Sequence, residues 1–189
     1  MCSLASANLK HPQLESDDRG SVAIEFAFIA PILVVLTFGV VEATNLLAQD
    51  RKVALANQTM VDLVARLDTV TDADKATIAK AVDLVMQPYN ASYTATIAIV
   101  SFDASGDPEF GTGTNSAQFN VKGSDPFTQG EMENNAKDLG VGDDEVVIGR
   151  ITSDYTTVLS PWFMGYSFKM SALNTQRPRP QHIVSKVSS

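Results

Sequence analysis

Gly20 and Glu25 are the residues whose types and spacing point to chemistry. The stretch reads Arg19-Gly20-Ser21-Val22-Ala23-Ile24-Glu25-Phe26 and continues into an uncharged run that ends at Val41. A carboxylate just inside an apolar run is costly in a bilayer unless something pairs with it, so Glu25 marks a functional position. The natural partner is the positive amine that would be created at Ser21 if the chain were cut after Gly20. Glycine suits such a cut, because without a side chain it can present an extended, accessible peptide bond. The chemistry read here is performed on the chain: a cleavage, then a charge pairing.

Other site chemistries find little material. Cys2 is the only cysteine and lies before Gly20, so a chain starting at Ser21 has no disulfide, thiol nucleophile or Cys-based metal site. The two histidines are His11 and His182, the latter in a Pro-rich tail. A Ser-His-Asp triad would have to recruit His182 without an element to orient it. The sequence therefore reads as a non-enzyme. Gly111-Thr112-Gly113-Thr114 lacks the Gly-Lys-Ser/Thr of a phosphate-binding loop. The acidic stretches Asp103, Asp107, Glu109 and Asp143, Asp144, Glu145 offer oxygen ligands but not the spacing of a calcium loop; solvated loops are the expectation. No cofactor is implied. The net charge of −8 argues against nucleic acid as a partner. Arg177, Arg179 and Lys186 form the one basic cluster, read as a solvated, frayed terminus.

The arrangement around Gly20 resembles the type IV prepilin signal, in the version of the TadE/TadG-like pseudopilins of the tight-adherence (Tad, or Flp) pilus. In that family a leader ends in Gly, four residues follow, and then come Glu and an aromatic; here these are Gly20, Ser21 to Ile24, Glu25 and Phe26. Arg19, Ala23, Pro31 and Gly39 fit the rest of the opening, and the likeness extends over about residues 19 to 67. The resemblance implies cleavage between Gly20 and Ser21 by a prepilin peptidase, with Glu25 and Phe26 serving recognition and assembly. It implies a minor pseudopilin of the bacterial inner membrane, spanning it once, with its C-terminal domain periplasmic. The partners implied are the peptidase, other pilins and Tad assembly proteins, and membrane lipid, in a system for cell adhesion. The alternatives are an uncleaved single-pass protein whose outer domain binds another envelope component, and a secreted effector released near Ala43.

The elements that must position these residues follow from the apolar pattern. Residues 1–20 form a leader, 21–48 a transmembrane helix and 49–189 an extracytoplasmic domain. From Phe26 to Val41 there are 16 uncharged residues, and apolar character continues to Ala48; a spanning helix needs about 20. No polar face interrupts the run, as it would in a buried soluble helix. Pro31 removes one helical hydrogen bond and is expected to bend the anchor. Ala23, Ala27 and Ala30 share a face, and Gly39 with Ala43 makes another small step, where helices can approach closely.

Past Ala48 the helix is expected to turn amphipathic, with Val53, Ala56, Met60, Leu63, Val64 and Leu67 on one side. Thr71-Asp72-Ala73-Asp74 has capping-box spacing and starts a second helix with Ile78, Val82 and Val85 inward, ended by Gln87-Pro88. Strands are expected over Ser92–Phe102, with Tyr93, Ala95, Ile97 and Ile99 on one face, around Gln118–Val121, and over Glu145–Thr157. A last strand has Tyr166, Phe168, Met170 and Ala172 alternating with polar residues, antiparallel to its predecessor across a long turn holding Trp162 and Phe163. The fold class is α+β: a long N-terminal transmembrane helix continuing into an amphipathic helix, packed on a small antiparallel sheet.

Overall fold

The computed structural model describes residues 18–88, 92–109, 116–140, 142, 144–157 and 167–179. Cys2, His11, His182, Lys186, Asp143, the 111–114 stretch and the aromatic cluster Trp162, Phe163 and Tyr166 lie outside the described residues. The chain is α+β and divides into two compact units, one ending at Val41 and one beginning at Glu42.

Helix α1 (Asp18–Val64) is 47 residues long and continues through Pro31. Its N-terminal unit is exposed almost throughout: Phe26, Phe28 and Val40 are each at least 65% exposed. So large an exposed apolar surface marks a membrane or protein contact. The 18-residue window that qualifies this helix as long and apolar enough to cross a membrane is unburied.

The second unit begins with the rest of α1, and here the apolar stripe is covered. Val53, Ala56, Met60 and Val64 are all buried, as the three-and-four spacing predicts. Helix α2 (Asp72–Met86) starts on the expected box: the Thr71 hydroxyl accepts from the Asp74 N–H, and Asp74 accepts from the Thr71 N–H at 2.9 Å. Ile78 and Val82 point inward as expected, but Met86 is the fully buried residue of the last turn, and Val85 is only partly covered.

Among the described residues five strands form one antiparallel sheet: β1 (Tyr93–Phe102), β2 (Pro108–Glu109), β3 (Ser116–Lys122), β4 (Glu145–Thr156) and β5 (Ser167–Gln176). β1 and β4 are central, β5 flanks β4, and β3 and β2 share the other side of β1. One face packs under α1 and α2 through Tyr93, Ala95, Ile97, Ile99, Val147, Ile151 and Met170. The face opposite is not wet. Ala98, Val100, Phe102, Val146 and Ile148 pack there against Phe127, Met132 and Ala136, residues of the β3–β4 crossing and its short helix α3 (Gln129–Ala136).

Two expectations change with this arrangement. The alternation at the last strand holds for Met170 and Ala172, but Phe168 is 50% exposed, since it lies at the end of an edge strand. The tail is tied down at its start: Arg177 donates to the Leu139 carbonyl and lies 3.7 Å from Asp144, and the Arg179 N–H donates to the Ala65 carbonyl.

Candidate functional site

In the N-terminal unit, Gly20, Ser21, Glu25 and Phe26 all fall on the first turns of α1 and are all exposed. Ser21 and Glu25 are four residues apart, so they share one helix face about 6 Å apart along the axis. A free amine at Ser21 could therefore reach the Glu25 carboxylate of the same chain or of a neighbour. The bond after Gly20 is helical here, not extended. It lies in the opening turn, where the first four N–H groups have no intrahelical acceptor and the helix is most easily opened. A side chain placed on Gly20 would meet nothing within 4 Å, and the same is true of Gly39. Packing among the described residues therefore gives no reason for glycine at either position.

In the second unit, polar side chains of α1 are aimed into the sheet. The buried Tyr155 hydroxyl donates to Glu42 at 2.8 Å. Gln49 donates to the Ser153 hydroxyl at 3.3 Å. Asn57, 1% exposed, donates to the carbonyls of both Gly149 and Ala172 at 3.0 Å, joining β4 to β5 from the helix side. Between these contacts α1 comes so close to β4 that a side chain at Gly149 would sit 2.3 Å from Val61 and 2.8 Å from the Asn57 amide oxygen. In the sequence Asn57 stands out only through the triplet Asn57-Gln58-Thr59. Its role depends on strands about a hundred residues away, which no local pattern reveals.

On the far face, Arg150 anchors the segment that leads into α3. Its guanidinium donates to Glu131 at 2.7 Å and to the carbonyls of Asp125 and Pro126 at 3.0 Å, and lies 4.2 Å from the Phe127 ring centre. The Thr128 N–H and hydroxyl, together with Arg150, hold the Glu131 carboxyl below its ordinary range. A second cluster joins α2 to the sheet: Tyr93 and Lys122 both donate to Asp83. These donors, Lys122 first, lower the Asp83 carboxyl, while burial and the adjacent carboxylate raise the Tyr93 phenol. The charged groups of both clusters are paired with neighbours within the domain, although the buried Arg150 Nε, 3.3 Å from Asp125, makes no hydrogen bond.

An open groove of about 190 Å³ is lined by Thr94, Asp125, Thr152, Asp154 and Lys169 among others. The described residues there hold no histidine or cysteine base or nucleophile. Asp103 spends one carboxylate oxygen on the N–H groups of Ser105 and Asp107, shaping a turn. Among the described residues no three His, Cys, Asp or Glu side chains gather as metal ligands.

The arrangement is that of a protein with one N-terminal helix of membrane-crossing length and composition, joined to a small α+β domain. Residues 20–66 match the model of the TadE-like protein family. The matched segment begins at Gly20, takes in the whole anchor, and ends just past α1. It associates the chain with the Tad pilus and with a membrane-anchored state, and the family is one of pilus assembly components. No curated protein and no solved structure matches the chain.

Proposed function

We propose that this protein is a minor pseudopilin of the tight-adherence pilus, anchored in the bacterial inner membrane with its α+β domain on the periplasmic side. A prepilin peptidase cuts it between Gly20 and Ser21, and the new Ser21 amine pairs with Glu25 in its own or a neighbouring helix. Other pilus subunits and assembly proteins are its partners, and the chain acts as a substrate and building block, not a catalyst. The observation that carries this reading is the TadE-like match opening at Gly20. Supporting it, nothing among the described residues requires glycine at that position, and Ser21 and Glu25 share a helix face.

Terminal sequencing of protein from its own host tests the cut, with Ser21 expected as the first residue. Gly20→Leu is expected to leave the full-length chain accumulating, because the added side chain obstructs access to the bond. A mature protein starting elsewhere, or normal processing of Gly20→Leu, would sink the proposal. One feature favours the runner-up, an uncleaved single-pass protein that binds another envelope component: the Gly20–Ser21 bond is helical in the intact chain. Recovery of only the uncut mass from host membranes would select that reading.

A further inference from the structure

We propose that the sheet is continued from one copy of this chain to the next, the outer edge of β5 in one molecule pairing antiparallel with the outer edge of β3 in its neighbour. β5 carries none of the usual devices that keep a sheet edge from pairing. It matches β4 over ten consecutive residues without a bulge, contains no proline or glycine, and holds one charge, Lys169. Among the described residues it pairs with no other strand. Every second residue of β5 turns its N–H and C=O away from β4. Exposed side chains need no partner, but a row of open backbone groups is specific, because another strand is what satisfies it.

The matching edge lies on the same chain. Across the sheet in the order β3, β1, β4, β5, each strand runs antiparallel to its neighbour. The two outer strands are therefore antiparallel to each other, and two copies facing the same way bring β5 against β3 in the antiparallel sense. The hydrogen-bond phase agrees. Phe119, Ile97, Gly149 and Asn174 form one row across the sheet. A residue turns its N–H and C=O to one side, so bonded and non-bonded pairs alternate along such a row. Phe119 and Asn174 thus both point outward or both point inward, and Met170, four residues from Asn174, points as Asn174 does. With Met170 opposite Phe119, the outward groups of one edge meet those of the other.

That register places all seven residues of β3 opposite residues 167–173. It also sorts the side chains. Met170 and Phe119 both belong to the core under the helices, and Phe168 comes beside Val121, which packs against the same core. On the other face Lys169 meets Asn120 and Ser171 meets Gln118, all four exposed. Apolar lies on apolar and polar on polar, with no like charges directly opposed. A slip of two residues in the other full-length register sets the half-exposed Phe168 against Gly123 and loses that match.

The pairing involves the α+β domain alone, so its test is separate from cleavage and anchoring. Full-length protein carrying Cys2→Ser is oxidised with copper phenanthroline in a mild detergent. Within one chain residues 120 and 169 are at least three strand spacings apart, about 14 Å, too far for a disulfide, so any bond joins two copies. A mixture of Asn120→Cys and Lys169→Cys proteins should give several-fold more cross-linked dimer than Asn120→Cys mixed with Leu173→Cys, which is four residues, about 13 Å, out of register. Gln118→Cys with Ser171→Cys, the pair two residues along, should cross-link as well as 120 with 169, so the result does not hang on one substitution. A chain carrying both Asn120→Cys and Lys169→Cys should give a ladder of trimers and longer species, because a head-to-tail contact need not close on itself. Equal yields with 169 and 173, or no dimer from either in-register pair, overturns the proposal. Lys169→Cys protein that dimerises as well alone as in the mixture also overturns it, assigning the edge to a symmetric β5–β5 contact.

Discussion

Two glycines carry opposite meanings in this chain. Gly149 is demanded from within, since α1 presses Val61 and Asn57 against the space a side chain would occupy. Gly149→Ala should therefore destabilise the domain by about 1–3 kcal/mol, the usual cost of overpacking a filled core. Chemical unfolding of the Glu42–Ser189 unit would measure it, and an unchanged midpoint would show that the helix can move aside. A side chain at Gly20, by contrast, would meet nothing within 4 Å among the described residues. Its partner residue is tested by Glu25→Ala. Removing the charge makes the anchor more apolar, so insertion should persist, while pairing with the Ser21 amine is lost in a medium that punishes an unpaired charge. The expected outcome is normal membrane recovery with reduced piliation; wild-type pili in cells carrying only this variant would refute the pairing. Gly20 and Glu25 stand out in the sequence because their pattern is local, and their proposed roles await these tests, whereas Gly149 reads only as a weak spot in a strand until the helix crossing it is known.

The elements show where local pattern suffices and where it does not. α1, α2 and the long strands follow from period and caps: Val53, Met60 and Val64 recur at helical spacing, and Thr71 with Asp74 marks a start. α3 escaped, although Thr128-Gln129-Gly130-Glu131 is a capping box of the usual kind. At eight residues with few apolar positions it has almost no periodicity of its own. Its partner surface was also present in the sequence, as Ala98, Val100 and Phe102 on the other face of β1. A strand apolar on both faces is one covered on both faces.

That cap makes α3 sensitive to acid. The Glu131 carboxyl is lowered from an ordinary value near 4.5 by bonds made only in the folded state. Its contribution is complete above the unfolded value and disappears as pH falls through the lower folded one. Amide exchange in α3 should accelerate over that acidic range relative to the β1–β4 core, and Glu131→Gln should flatten the dependence. Thr128→Ala should loosen α3 by about 1 kcal/mol at neutral pH. Equal pH profiles for the parent and Glu131→Gln would remove the cap from the explanation.

At the scale of the molecule, the second unit holds its own core, and a chain beginning at Glu42 should fold alone with strand and helix signals in circular dichroism. Beginning instead at Asp50 removes the Glu42–Tyr155 and Gln49–Ser153 bonds, worth about 0.5–1.5 kcal/mol each in net terms. The shorter chain should melt earlier, and identical melting would deny those bonds a role. Met60→Asp places an unpaired charge in the core and should cost about 3–5 kcal/mol, seen as less stable protein with cleavage unaltered.

The three polar contacts of α1 also decide how the domain responds to tension. Glu42, Gln49 and Asn57 are spread over 15 residues, about 22 Å of helix. A pull transmitted along the helix axis from Val41 loads these bonds and the packed side chains between them at once, in shear. Asn57 spreads part of the load over two strands, because it grips the carbonyls of both Gly149 and Ala172. Tension that reaches the domain through α1 is thus shared among several contacts instead of falling on one.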